Sequence, residues 1–248
     1  MQLQQHYTPE QHHVWKQLYT RMQPRWERYA NESYLKGLSA LCFDPDRIPH
    51  LENVNRFLFP LTGFRAKAVG GYLPEPDIFH DIAGHVPMHT GAAFAETLVR
   101  FGQCAHTAVD RVAGIRDEHE RLARLNSMIT AMARFFWFTI EFGLMKGPDA
   151  NECKVYGSGL LSSFGEMQHA VESPVVQRVP MQLEWVINQS FEIDRYQPLL
   201  FVVNDFEHLF DEVRRLGQWM KDGKLNNVAP GEPAISEADL RSFLEAGH

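Results

Sequence analysis

Apolar residues recur at helical spacing over most of the chain. Near the start, Thr8-Pro9-Glu10-Gln11 reads as an N-cap, a proline at the first helical position and acidic support. Val14, Leu18 and Met22 follow four apart, with Trp15 and Tyr19 beside them, which predicts an amphipathic helix. Further helices are expected over Glu32 to Leu41, ending before the turn-rich FDPDRIP, and over Leu51 to Phe57. Phe64 to Val69 has the look of a short strand closed by Gly70-Gly71. The pattern then predicts helices over Phe79 to Gly84, Ala92 to Ala113 and Leu122 to Leu144. The last carries aromatic residues all round at RFFWFTIEF, the mark of a helix buried on most sides. After a glycine-rich bend come a short helix through Glu166 to Val171 and short strands at Phe191 to Ile193 and Leu199 to Val203. A helix over Phe206 to Lys221 and one starting at Ser236-Glu237 complete the list.

The expected fold class is therefore mainly α with a few short β-strands. No linker or repeat divides the chain, so residues 1–248 are expected to form one domain, with a core of about 7–221 and a tail over 222–248. The 248 residues are 44% hydrophobic and 22% charged, ordinary globular proportions that leave room for a core and a pocket. A net charge of −7 gives no support to a nucleic-acid-binding surface. Three cysteines, Cys42, Cys104 and Cys153, without a CxxC spacing, argue against a disulfide framework or a thiolate zinc site. The polar start and the lack of a long apolar run point to a cytoplasmic protein without targeting peptide or membrane span.

Chemistry concentrates in PDIFHDIAGHVPMH, where His80 and His85 stand five apart. Five α-helical steps rotate by about 140°, so the two rings would not face one point on a continuous helix. Gly84 can end a helix and Pro87 cannot extend one, which places His80 on a last turn and frees His85 to fold back. Glu141, within an aromatic-rich run, is costly to bury unless it is paired or binds a metal. Two histidines and a carboxylate form the facial triad that leaves positions open at ferrous iron. The alternatives are satisfied core histidines, His89 as a rival ligand, and pairing of Glu141 with Arg134 or Lys146.

At these residues the sequence resembles the pterin-dependent aromatic amino acid hydroxylases, bacterial phenylalanine hydroxylases in particular. The resemblance is carried by DRIPHLENVNRFL at Asp46 to Leu58, Leu61-Thr62-Gly63-Phe64-Arg65, YLPEPDIFHDIAGHVP at Tyr72 to Pro87 and FWFTIEFGL at Phe136 to Leu144. It continues through YGSGLLSSFGE at Tyr156 to Glu166 and Tyr196-Gln197-Pro198, in the same order. The resemblance implies the single-domain catalytic fold of that family and Fe(2+) held by His80, His85 and Glu141. It implies Ser162 behind an iron-bound histidine, Pro74, Trp137, Gly159 and Ser163 around the amino acid, and Asp81 near a tetrahydrobiopterin-like cofactor. Dioxygen would be co-substrate, one atom going to the pterin and one to the ring of phenylalanine. A monomer or dimer is expected, since the tail has no long heptad pattern.

One departure is large. Family members carry a substantial segment between the TGFR strand and the EPD motif, with part of a pterin-contacting loop and an arginine for the substrate carboxylate. Here Val69-Gly70-Gly71 runs almost directly into Tyr72-Leu73-Pro74. Arg65, Lys67 and Arg134 remain as candidates for that carboxylate. Phe136 stands where many relatives have tyrosine. The shortened wall keeps two other readings open: an iron oxygenase of the same fold with another substrate or reductant, and a non-catalytic metal-binding regulator.

Overall fold

A computed structural model describes residues 7–66, 78–149 and 152–246. The expected strand at Phe64 to Val69 and the expected pocket residue Pro74 fall wholly or partly outside these; residues 64–66 are irregular. Helix α1 (Pro9–Tyr29) opens on a capping box in which Thr8 accepts from the Gln11 N–H and the Gln11 side chain accepts from the Thr8 N–H. Its buried face is Trp15, Tyr19, Met22, Trp26 and Tyr29, whereas Val14 is 53% exposed. The stripe is thus rotated by one residue from Val14, Leu18 and Met22, because large aromatic side chains remove more area from water.

Helix α2 (Glu32–Leu41) occupies the expected span, started by the Asn31 side chain. Helix α3 (Leu51–Thr62) runs five residues past Phe57 to Gly63, whose φ of 76° suits a left-handed cap. A π-helical turn, π1 (His80–His85), continues directly into α4 (Val86–His89). Helices α5 (Ala92–Val112) and α6 (Glu118–Phe136) follow. Helix α6 starts four residues before the expected Leu122, because Asp117 caps the Glu120 N–H. It does not reach Leu144: it widens into a second π-turn, π2 (Trp137–Glu141), closed by the Phe142 N–H donating to the Trp137 carbonyl.

Four short strands, β1 (Leu144–Lys146), β2 (Cys153–Val155), β3 (Gln177–Pro180) and β4 (Leu199–Val203), form a sheet of order β2-β1-β4-β3. The β1–β2 pair is antiparallel and the other two are parallel. The expected strand at Phe191 to Ile193 is absent: those residues lead into a bend that the Gln197 side chain closes by donating to the Glu192 and Arg195 carbonyls. Between and after the strands lie α7 (Ser158–Ser162), α8 (Phe164–Glu172), α9 (Leu183–Asn188), α10 (Phe206–Lys221) and α11 (Glu237–Ala246).

Helices α5, α6 and α10 pack together, α2 covers α4, and α7 lies against π1 and π2. Residues past α10 join the same core through Leu225 and Leu240. Arg134, fully buried on α6, donates to the carbonyls of Ile187, Ala229, Gly231 and Glu232. Burial draws its pKa down from the usual arginine value, and carbonyl dipoles in place of a carboxylate accommodate the cation. Among the described residues no helix is long and apolar enough to cross a membrane.

Candidate metal centre

The two histidines meet without the helix ending. In a π-turn hydrogen bonds span five residues, so residues five apart return to nearly the same side. That geometry brings the His80 and His85 rings to 4.7 Å between centroids and their Nε2 atoms to 3.1 Å. Pro87 has a role here other than termination. An α-helix would pair the Ala83 carbonyl with the N–H of residue 87, which proline lacks. Instead the fully buried Tyr34 hydroxyl on α2 donates to Ala83 O at 2.9 Å. Gly84 likewise does not stop the helix. A Cβ there would lie 2.8 Å from the Ser158 carbonyl and 3.3 Å from the Ser162 Cβ, so its bareness lets α7 approach π1.

Glu141 enters from the second π-turn. Its Oε1 lies 3.3 Å from His85 Nε2 and its Oε2 lies 3.6 Å from His80 Nε2. Among the described residues, His80, His85 and Glu141 form the group able to share one metal ion. Donors about 2.1 Å from a common ion and at right angles to one another sit about 3.0 Å apart. The His80 Nε2–His85 Nε2 separation of 3.1 Å and the His85 Nε2–Glu141 Oε1 separation of 3.3 Å lie within a few tenths of an ångström of that value, whereas the 3.6 Å approach of His80 Nε2 is to the other carboxylate oxygen, Oε2. The His80 and His85 side chains remain 27% and 22% exposed, so the side away from the protein is open to further ligands.

Protonation suits the same purpose. Ser162 Oγ donates its one proton to the Ser158 carbonyl at 2.9 Å, or to Gly159 O at 3.2 Å. Toward His80 Nδ1, at 2.8 Å, it must then accept, which puts a proton on Nδ1 and the lone pair on Nε2. Burial pushes the Glu141 carboxyl up, but the hydrogen bond from His85, the charges of His85 and His80 and the Ser158 hydroxyl outweigh it. The net direction is down, and the carboxylate is ionised at neutral pH.

The rival pairings do not form. His89 donates Nδ1–H to the His85 carbonyl at 2.8 Å and stands behind the triad. Arg134 is engaged by its four carbonyls, and Lys146 ends β1 on the exposed side. Arg65 is exposed and lies over the Phe59 ring at 3.9 Å. Neither described arginine is therefore poised for a carboxylate near Glu141, and Lys67 lies outside the described residues.

Of the other expected site residues, Trp137 opens π2, stacking on Phe191 at 4.2 Å and on Phe142 at 4.5 Å. Its indole Nε1 is buried and has no hydrogen-bond partner among the described residues. Gly159 faces the Glu141 carbonyl and the Phe142 ring. Ser163 caps α8 through the Glu166 N–H, and Asp81 is exposed in the first turn of π1. Phe136 packs against Phe101 at 5.7 Å. Sequence reasoning missed Ser158, Phe191 and Tyr34. The spacing of Ser158 and Ser162, four apart in a segment that already carried Ser162, was the available signal for the first.

The model of the biopterin-dependent aromatic amino acid hydroxylase family matches residues 3–74 and 71–225. The phenylalanine-4-hydroxylase of Chromobacterium violaceum is 30% identical, over 96% of this chain and 87% of its own. Its crystal structure with iron and phenylalanine superposes with a TM-score of 0.72, at 28% identity and 93% and 88% coverage. The apo cold-active phenylalanine hydroxylase of Colwellia psychrerythraea gives 0.73, at 27% identity and 92% and 93% coverage. In the first alignment 96% of 248 residues, about 238, spread over 275 positions, so about 37 positions have no counterpart here. The family matches meet at residues 71–74, where the sequence shows the shortened join. With a facial donor triangle on the family's motif and a family match along most of its length, the chain belongs to the biopterin-dependent aromatic amino acid hydroxylases.

Proposed function

We propose that this iron- and tetrahydropterin-dependent monooxygenase hydroxylates the ring of free phenylalanine, with His80, His85 and Glu141 as its iron ligands. The observation that carries the reading is the triangle of His80 Nε2, His85 Nε2 and a Glu141 oxygen, with the His80 tautomer set by Ser162. Two neutral imidazoles and one carboxylate suit a ferrous ion and leave open positions beside it. Once bound, iron and pterin supply the electrons that divide dioxygen between the pterin and the aromatic ring.

The chain's own groups bind, orient and exclude water. The Trp137, Phe142 and Phe191 rings stack into an apolar cluster following on from Glu141, suited to bordering an aromatic side chain. Gly159 keeps the Phe142 ring free of a side chain, and Ser163, at the end of α7, is assigned to the same pocket. Asp81, exposed beside His80, is assigned to the pterin side. The shortened join at residues 71–74 favours one second reading, the same chemistry on another aromatic substrate. We place the enzyme in the cytoplasm as a monomer or dimer, the acidic chain having no membrane-crossing helix among its described residues.

The test is incubation of ferrous-loaded protein with phenylalanine, dioxygen and a tetrahydropterin, following tyrosine and pterin oxidation together. Coupled formation of both is expected. Pterin oxidation without tyrosine selects the second reading, and neither signal with iron bound defeats both.

A further inference from the structure

The short helix α7 touches two of the three donors. Ser158 and Ser162 stand four residues apart on it, hence on one face. Ser162 meets His80 Nδ1. Ser158, 2% exposed, places its Oγ 2.9 Å from Glu141 Oε2 and 3.0 Å from the Ile140 carbonyl. Both neighbours are acceptors, so the hydroxyl proton is shared within π2 and lies along the carboxylate.

The helix is itself held rigidly. Gly84 admits the Ser158 carbonyl from the π1 side, and a Cβ on Gly157 would collide with the Glu141 carbonyl. From the third side the buried Trp26 indole donates to Leu161 O at 2.7 Å. A serine on such a brace is a fixed reference point, whereas a glutamate carboxylate turns easily about its terminal torsion.

We propose that Ser158 is a positioning residue that fixes the Glu141 carboxylate for the metal. The inference rests on reading His80, His85 and Glu141 as the iron site. With Oε2 engaged by Ser158, Oε1 is the oxygen left to the ion, and Glu141 serves through one atom. Three protein donors then occupy half of an octahedral shell, which keeps the other half for small ligands. Loss of the hydroxyl frees Oε2 to rotate or to bind as well.

The experiment measures Co(II) affinity of the full-length apo-protein by competition with a chromophoric chelator, together with the Co(II) visible absorption. Ser158→Ala is expected to bind about 10-fold more weakly or worse, the range found when a partner behind a metal ligand is lost. Its Co(II) bands should change in position or intensity. Ser158→Thr, which keeps a hydroxyl, should fall between Ser158→Ala and wild type in affinity and retain the wild-type bands. Ser127→Ala removes a hydroxyl that bonds Leu225 O and the Val228 N–H, remote from the triad, and should leave affinity unchanged. Ser158→Ala with wild-type affinity and spectrum overturns the proposal, as does an equal loss in Ser127→Ala or in Ser158→Thr. A wild-type protein that binds neither cobalt nor iron overturns the iron-site reading itself, a result separate from the others.

Discussion

Replacing Tyr34 by phenylalanine removes one oxygen atom and tests why the first π-turn holds its shape. The hydroxyl is fully buried and is the donor to Ala83 O, at 2.9 Å, inside the turn that presents both histidines. Burial pushes its pKa far above the ordinary tyrosine value, so it is a neutral donor throughout the working range. Without it the Ala83 carbonyl loses the donor that compensates for the missing Pro87 N–H. A buried acceptor left unpaired costs about 1–3 kcal/mol. For a chain of this size each kcal/mol moves the thermal midpoint by about 2–4 °C, so Tyr34→Phe should melt about 2–12 °C lower. Calorimetry on the apo-protein gives the midpoint, and chelator competition gives the metal affinity, which should fall as π1 loosens. A midpoint within 1 °C or so of wild type, with unchanged affinity, would refute the assignment of the π-turn to this bond.

Other consequences follow from the same geometry. Glu141→Gln should lose metal affinity beyond the roughly 10–100-fold typical of an outer partner, measured by iron content after dialysis, while the fold persists by circular dichroism. The depressed Glu141 pKa stabilises the apo-protein above the ordinary carboxylate value of 4.5. That stability is lost as pH falls through the lower folded value, so Glu141→Gln should flatten this part of the acid limb in urea titrations. Arg134→Met leaves four carbonyls without their donor and should cost about 3 kcal/mol or more, with earlier proteolysis within residues 228–235. Native protein at pH 8 should show Cys42 as the fast-reacting thiol. Cys104, buried and pushed up to about 11, should react only on unfolding, as mass spectrometry of the labelled chain would reveal.

What was legible in the sequence depended on how local its cause was. Helices α2 and α10 match their expected spans because each has a side-chain cap, Asn31 and Asp205, and a clear apolar face. Strands β1 and β2, three residues each, are too short for alternation to be read, and β1 sat inside an apolar run that continues the α6 pattern. A carboxylate in an aromatic run and two close histidines suggested a shared metal but left rival pairings open, and the family resemblance singled out His80, His85 and Glu141, which the structure brings together. The geometry of the triad was not legible. Gly84 and Pro87 carry the ordinary signs of a helix end, and only tertiary facts, Tyr34 reaching across from α2 and α7 pressing on Gly84, turn that stretch into a continuous π-turn.

The same division explains how a shortened chain can keep its metal chemistry. Among the described residues, the hydroxyls that meet the triad side chains, Ser158 and Ser162, both come from α7, and π1 and α7 are braced by Tyr34, Trp26 and the core. His80, His85 and Glu141 come together in this shortened chain all the same, so the effect of the shortening is expected on the organic partners instead. Of the basic residues singled out as candidates for a substrate carboxylate, Arg134 is committed to the carbonyl cluster and Arg65 lies over the Phe59 ring. On the proposed reading a substrate carboxylate must find its partner elsewhere. Metal affinity and substrate specificity should consequently separate in this enzyme, with mutations along π1, π2 and α7 moving the first and changes around residues 67–77 moving the second.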